Sequence, residues 1–267
     1  MTMTSSIVYK EVHDLEEIKA IVAFQALIWS NDVVTPLPQL VAAHHHGGVI
    51  IAAFHEEQVV GFAYGFPGFK KGHAYLISHM TAVHPSYQNA GVGLALKLKQ
   101  REWAMKDGGY QKMVWTYDPL EARNAYFNLM KLGGYTSKYI HAYYGEMDDK
   151  LNKGLPSDRF LVEWDLFSKR VERALTNTLS LQTSVYDYTE PLNKEDIKDD
   201  AGYLVPVPTN IQEIKLNDLN EAMEWRYHLR ELFTLALDKG YVVTGLLKGQ
   251  HPEVHYYVLQ KDQVSIR

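Results

Sequence analysis

A chain of 267 residues with 46% apolar side chains can bury a substantial core, and no run approaches the roughly 18 apolar residues of a membrane span. The formal charge of −5, with Lys and Arg scattered rather than clustered, excludes general nucleic-acid binding, which concentrates cations against phosphate. The absence of cysteine excludes disulfides, thiolate nucleophiles and cysteine metal sites. The first residues carry neither a charged n-region nor a long apolar stretch, so no secretion signal is expected and a cytoplasmic location fits.

In chain order, residues 7–12 read as a first strand. Asp14 caps a helix to about residue 30, with Glu16 and Glu17 in its first turn and Leu15, Ile18, Val22 and Leu27 among its buried side chains. A turn over 31–38 leads into a short helix that ends near Gly47 and Gly48. Residues 49–54 and 58–65 form a hairpin, 74–83 a third strand, and 91–106 a helix with two apolar stripes: Val92, Leu96 and Trp103 on one side, Leu94, Leu98 and Met105 on the other. A strand at 112–117, a helix at 121–132 ended by Gly133 and Gly134, and strands at 135–147 and 159–167 follow. Residues 184–202 turn acidic and polar and read as an exposed connection. Beyond it lie an extended segment at 203–208, a helix from Asp218 to about Lys239, and strands at 241–247 and 254–259.

The helix striped by Leu219, Ala222, Met223, Leu229, Phe233 and Leu237 must dock. Candidate surfaces are the Leu94, Leu98 and Met105 stripe or the same helix of another subunit, so a homodimer is one expectation. No internal repeat is evident.

The most informative stretch is V-H-P-S-Y-Q-N-A-G-V-G from Val83 to Gly93, where a strand ends in a glycine turn that opens directly into a helix. Free N–H groups of a first helical turn, at the positive end of the dipole, form an anion site. Its spacing is not that of a dinucleotide fold, where a third glycine would stand at Leu96, nor of a P-loop, since no Gly-Lys-Ser/Thr follows. Gln88-x-x-Gly91-x-Gly93 resembles the acyl-CoA-binding motif of the GNAT N-acyltransferase superfamily.

The element order to residue 168 resembles the GNAT order as well. The resemblance implies an α/β (α+β) GNAT domain over 1–168, a mixed sheet flanked by helices, with a smaller α/β extension over 169–267. It implies an enzyme that moves an acetyl or other acyl group from acyl-CoA, its co-substrate, to an amine. Cofactor contacts would come from Ala82 and Val83 of the preceding strand, from Gln88, Asn89, Ala90, Gly91, Val92, Gly93 and Leu94 of the turn, and from Asn124. The segment W-T-Y-D-P-L-E-A-R-N-A resembles more specifically a bacterial GNAT-like group with a C-terminal extension, some of whose relatives are linked with N-succinyl amino acid metabolism. A small-molecule amine acceptor such as an amino acid, and a succinyl donor, follow as expectations.

The Tyr that protonates the leaving thiolate in the family falls at Leu129 here; Tyr126, one turn earlier, is the substitute, with plain packing under the sheet as the alternative. His79, in the strand beside the thioester, is the candidate general base, with a satisfied core histidine as its alternative. Asp118 and Glu121 are runners-up that could instead serve as helix caps. Arg123 could clamp a carboxylate or equally pair with Glu121 or a CoA phosphate, while Trp29 and Thr35 are candidate acceptor contacts. His44, His45 and His46 are adjacent on one helix and point about 100° apart, so no metal is expected there. A non-catalytic acyl-CoA sensor is the alternative to an enzyme.

Overall fold

In the computed structural model, which describes residues 7–29, 33–147, 153–181, 188–191, 197 and 202–261, the chain packs as two units that divide between Trp115 and Thr116. Both are mixed α/β, with mostly antiparallel strands flanked by helices. Among the described residues no helix is long and apolar enough to cross a membrane.

The first unit contains β1 (Val8–Glu11), α1 (Leu15–Ile28), α2 (Leu37–His45), β2 (Val49–His55), β3 (Gln58–Lys70), β4 (His73–Val83), α3 (Val92–Lys106) and the start of β5 (Lys112–Tyr117). Its strands lie in the order β1-β2-β3-β4-β5, antiparallel until β5, which runs parallel to β4. Asp14 caps α1 by accepting from the N–H groups of Glu16 and Glu17. The buried face of α1 is Ile18, Ile21, Phe24 and Gln25, whereas Leu15 and Leu27 are exposed. The expected stripe is therefore rotated, because positions 18, 21 and 25 follow the 3.6-residue period more closely. Side-chain alternation in β2 and β3 divides the unit. Ile50, Ala52, Phe62 and Tyr64 pack with α1 and α2, while Gly61 and Gly65 give close approach to α3: a Cβ at Gly65 would lie 3.0 Å from Gln100 Nε2.

Register places a β-bulge in β4. Tyr64 pairs with Met80 and Phe66 with Ile77, so β4 carries one extra residue at Ser78–His79. The bulge switches faces. Ser78 bonds to Gln100 of α3, and Met80 packs with the α1/α2 cluster; without it both would point the same way. β3 and β4 extend to Lys70 and from His73, beyond their expected ends, because Lys71 and Gly72 form a tight turn at positive φ.

The second unit contains α4 (Ala122–Tyr126), β6 (Tyr135–Ile140), β7 (Arg159–Asp165), α5 (Lys169–Leu175), β8 (Tyr188–Thr189), β9 (Gly202–Pro208), α6 (Ile211–Asn217), α7 (Leu219–Asp238), β10 (Tyr241–Lys248) and β11 (Val254–Lys261). Its strand order is β7-β6-β10-β11-β9-β8. The helix expected over 121–132 is α-helical only through Tyr126 and π-helical over Phe127–Lys131, where the Leu132 N–H reaches back to the Phe127 carbonyl. The strand expected over 135–147 stops at Ile140, since residues 141–144 turn with Ala142 at φ 43°. Helices α5 and α6 were not anticipated. Of the connection expected over 184–202, most lies outside the described residues, but Tyr188 and Thr189 pair with β9, and Pro191 and Ile197 are buried rather than exposed.

Helix α7 lies on β6, β10 and β9, burying Ala222, Arg226, Leu229, Leu232, Phe233 and Ala236 and leaving Leu219 exposed. Its apolar face is thus covered within its own unit. Strand β6 pairs with β10 through Thr136 and Val243, so strands from both sides of residue 168 share one sheet, and the packing division falls earlier than the expected 1–168 and 169–267.

Candidate active site

Gly91 caps α3 in the left-handed region at φ 81°, ψ −3°, with no side-chain cap bond. Only glycine takes this conformation without a Cβ penalty, and a Cβ there would meet nothing within 4 Å. The first N–H groups of α3, from Val92, Gly93 and Leu94, have no intrahelical acceptor and receive no side-chain cap from Gly91. Asn89 is also left-handed, at φ 62°, a region asparagine tolerates. Gly93 does not share that constraint; a Cβ on it would make an ordinary 3.7 Å contact with Val83. Gln88, Asn89, Ala90 and Gly91 are exposed, Gly93 and Leu94 half-buried, and the Val92 side chain is buried, so Val92 can offer only its N–H. Gln88 Nε2 donates to the Val83 carbonyl at 3.5 Å, tying the turn to β4. Ala82 is buried and Val83 half-buried.

Strands β4 and β5 pair at Leu76–Met113 and Ile77–Val114. Past that point the ladder stops, and β4 continues as far as Val83. The bulge residues Ser78 and His79 stand at the start of this fork. His79 is exposed, yet its ring centre lies 6.2 Å from that of Tyr64 and 5.5 Å from that of Phe66. Burial lowers its pKa below the ordinary 6.5, which keeps the imidazole neutral and able to accept a proton at neutral pH. On the same face Thr35 Oγ1 donates to Met80 Sδ at 3.1 Å, and the Thr35 backbone is pinned by buried Gln25. Trp29 packs edge-on against Phe62 at 6.1 Å. Thr35 thus reaches β4 directly, and Trp29 packs against the core cluster.

The fork holds residues that sequence reasoning missed. Lys97 of α3 is 3% exposed. Its Nζ donates to Ser78 Oγ at 2.7 Å and sits 3.8 Å from the centre of the Trp115 ring; Ser78 Oγ in turn donates to Gln100 Oε1 at 2.6 Å. Burial depresses the Lys97 amine to about 7. The available signal was the position of Gln100, four residues from both Leu96 and Ala104 on one face of the helix.

In the second unit, the candidates at the exit of β5 are differently engaged. Asp118 accepts from the Leu120 N–H at 2.8 Å and pairs with fully buried Arg226 and, at 3.6 Å, with Arg159. Glu121 accepts from Gln212 at 2.6 Å, and burial raises its pKa. Both carboxylates therefore already have partners, which argues for an anchoring role over a free base. Arg123 and Asn124 are exposed in the first turn of α4, and Tyr126 is half-buried with Lys248 Nζ 5.6 Å from its ring. Leu129, where the resemblance would place a tyrosine, is fully buried.

Beside this cluster Asp158, also missed from sequence, receives both Arg230 donors at 2.7 Å and the Tyr139 hydroxyl at 2.7 Å. Burial works to raise its carboxyl, but these donors outweigh it and hold the pKa below the ordinary range.

Among the described residues one group has donor atoms converging as a metal would need, Glu11, His13 and His44, all within 4.8 Å of one another. His13 Nδ1 and His44 Nε2 are 3.0 Å apart, a hydrogen bond between imidazoles. His45 and His46 do not join it.

Residues 15–131 match the model of the acetyltransferase (GNAT) family. None of the curated proteins compared matches the chain. Solved structures similar to it include an N-acetyltransferase from Staphylococcus aureus Mu50, with 18% identity over 61% of this chain and 99% of that one at a TM-score of 0.47. An acetyltransferase of the GNAT family from Streptococcus pneumoniae has 15% identity over 59% and 98% at 0.45. An aminoglycoside acetyltransferase from an uncultured soil metagenomic sample, in complex with sisomicin, has 12% identity over 44% and 81% at 0.38.

Proposed function

We propose, from the match of residues 15–131 to the acetyltransferase (GNAT) family model, that this protein transfers an acyl group from acyl-CoA to the amine of a small carboxylated metabolite such as an amino acid, with acetyl or succinyl as the acyl group and the cytoplasm as its location. The observation that carries this reading is the uncapped N-terminus of α3 behind left-handed Gly91, at the end of a strand whose ladder to β5 stops at Ile77. The N–H groups of Val92, Gly93 and Leu94 would hold the CoA pyrophosphate. The free edge of β4, from Ser78 to Val83, would pair with the pantetheine amides as an added strand does.

Attack is direct in this reading: the acceptor amine adds to the thioester carbon, His79 takes a proton from nitrogen, and the C–S bond breaks with its electron pair on sulfur. Arg123 would hold the acceptor carboxylate, and Trp29 and Thr35 would line the acceptor side.

The test is calorimetry with CoA on the wild type and on Gly91→Glu, followed by thiol-release assays over amino acids with acetyl-CoA and succinyl-CoA. CoA binding lost in a folded Gly91→Glu variant, together with amine-dependent thiol release in the wild type, is the expected outcome. Binding without any thiol release would leave an acyl-CoA sensor, the reading that the buried Leu129 in place of an acid favours. Absence of binding in the wild type would overturn both.

A further inference from the structure

Lys97 is the one lysine among the described residues that is buried, at 3% exposure. Burying an ammonium without a carboxylate is costly, and Lys97 has no ion pair among the described residues; its contacts are a hydroxyl on β4 and an aromatic face on β5. Those two contacts fix its place. Ser78 and Trp115 are the residues immediately after the last β4–β5 pair, Ile77–Val114, so the amine bridges the two strands at the crotch of the fork, beneath the bulge that also positions His79.

The distance along β4 suits the cofactor. At about 3.3 Å per residue, the strand from Val83 back to Ser78 spans roughly 17 Å, comparable to an extended pantetheine arm running from a pyrophosphate on the Gly91 turn. Its sulfur would then lie at the crotch.

Resting on the acyl-CoA reading above, we propose that Lys97 is the general acid of the transfer, donating a proton from Nζ to the CoA sulfur as the C–S bond breaks. The electron pair leaves on sulfur, the Nζ proton forms the S–H bond, and neutral Lys97 is reprotonated from water; the proton from the acceptor amine departs separately through His79. Lys97 thereby fills the role left empty by Leu129. The ordinary lysine pKa would hold the proton too tightly for this task, and burial brings it to about 7, close to the value at which an acid works best in neutral solution. Burial is its sole cause: the groups that face the amine, Ser78 from β4, Gln100 within α3 and Trp115 from β5, are uncharged.

The experiment follows the thiolate absorbance of CoA bound to the wild type and to Lys97→Met across pH, with CoA affinity measured alongside. Ammonium and thiolate stabilise one another as a coupled pair, so the bound thiol should ionise at lower pH in the wild type than in Lys97→Met, while CoA affinity changes less than about threefold and amine-dependent turnover falls by ~100-fold. Lys97→Gln, which keeps a hydrogen bond to Ser78 but has no charge, should behave like Lys97→Met and serves if the latter does not fold. Equal thiol ionisation in wild type and variants that bind CoA would overturn the assignment of Lys97 and leave the acyl-CoA reading standing. Failure of the wild type to bind CoA would overturn both, and is a different result.

Discussion

Replacing Lys97 by Met exchanges a buried amine for an apolar chain of similar length, and the structure sets both the sign and the scale of the effect. The pKa falls from the ordinary 10.5 to about 7 on folding; at about 1.4 kcal/mol per pH unit this corresponds to roughly 5 kcal/mol. Because the folded-state value is the lower one, the unfolded chain binds more protons between pH 7 and 10.5. Stability therefore rises with pH across that window, and the cost is fully present below pH 7. Ser78 keeps its bond to Gln100 in the variant, so little is lost in exchange. Lys97→Met should be more stable than the wild type by a few kcal/mol at pH 7, and the gap should narrow by up to about 1.4 kcal/mol per pH unit towards pH 10. The assay is urea unfolding of both proteins at several pH values. Tyrosines that titrate in the same range, such as buried Tyr64, pushed up to about 12, are common to both and cancel in the difference. A gap that stays constant from pH 7 to 10 would show that the amine remains charged on folding, and would refute the reasoning.

Gly91→Glu places a side chain at φ 81°, which costs about 1–2 kcal/mol, and sets a carboxylate where phosphate should lie; CoA affinity should drop by at least ~100-fold with only a modest loss in melting temperature, and Gly91→Ala should show the strain without the electrostatic loss. His79→Gln should lower turnover by ~100-fold with unchanged CoA affinity and remove the acid limb of the pH–rate profile, which in the wild type should fall below the ordinary histidine value of 6.5; an unaltered profile would exclude His79 as base. Arg230→Met strands the fully buried Asp158 carboxylate and should destabilise the protein by about 3 kcal/mol in denaturant unfolding at pH 7, a loss that shrinks as pH falls through the depressed pKa of Asp158 and the carboxylate is neutralised. Truncation after Phe167 removes β10 from the edge of β6 and α7 from Phe160, whose ring lies 4.7 Å from Phe233; the shortened chain should be insoluble or fail to show a cooperative melt.

Local chemistry was legible in the sequence wherever one segment suffices to express it. The Gly91 turn is readable because a left-handed helix cap demands glycine whatever surrounds it, and Asp14 because an N-cap is satisfied by N–H groups two and three residues away. The strands β2 and β10 announce themselves as apolar runs, and the order of elements to residue 168 pointed to the acetyltransferase family that residues 15–131 match. Which face of a strand or helix is buried was less legible, as the rotation of the α1 stripe shows, since a wide apolar stripe permits several orientations until a partner selects one.

What only the tertiary structure decided lies where distant segments meet. The bulge at Ser78–His79 exists because β3 fixes the register of β4 on both sides of it, and no residue type encodes that. The fork needs two strands that start paired and then separate. Lys97 reads as an ordinary surface lysine on a helix until α3 is laid against β4, whereupon Ser78, Gln100 and Trp115, separated from it by as many as 19 residues, enclose its amine and change its chemistry. Arg226, likewise, is one more charged residue in an amphipathic helix until α7 folds over the sheet and Asp118, 108 residues away in sequence, meets it. A pKa is set by what excludes water and what sits within a few ångströms, and for these residues both are properties of the packed chain.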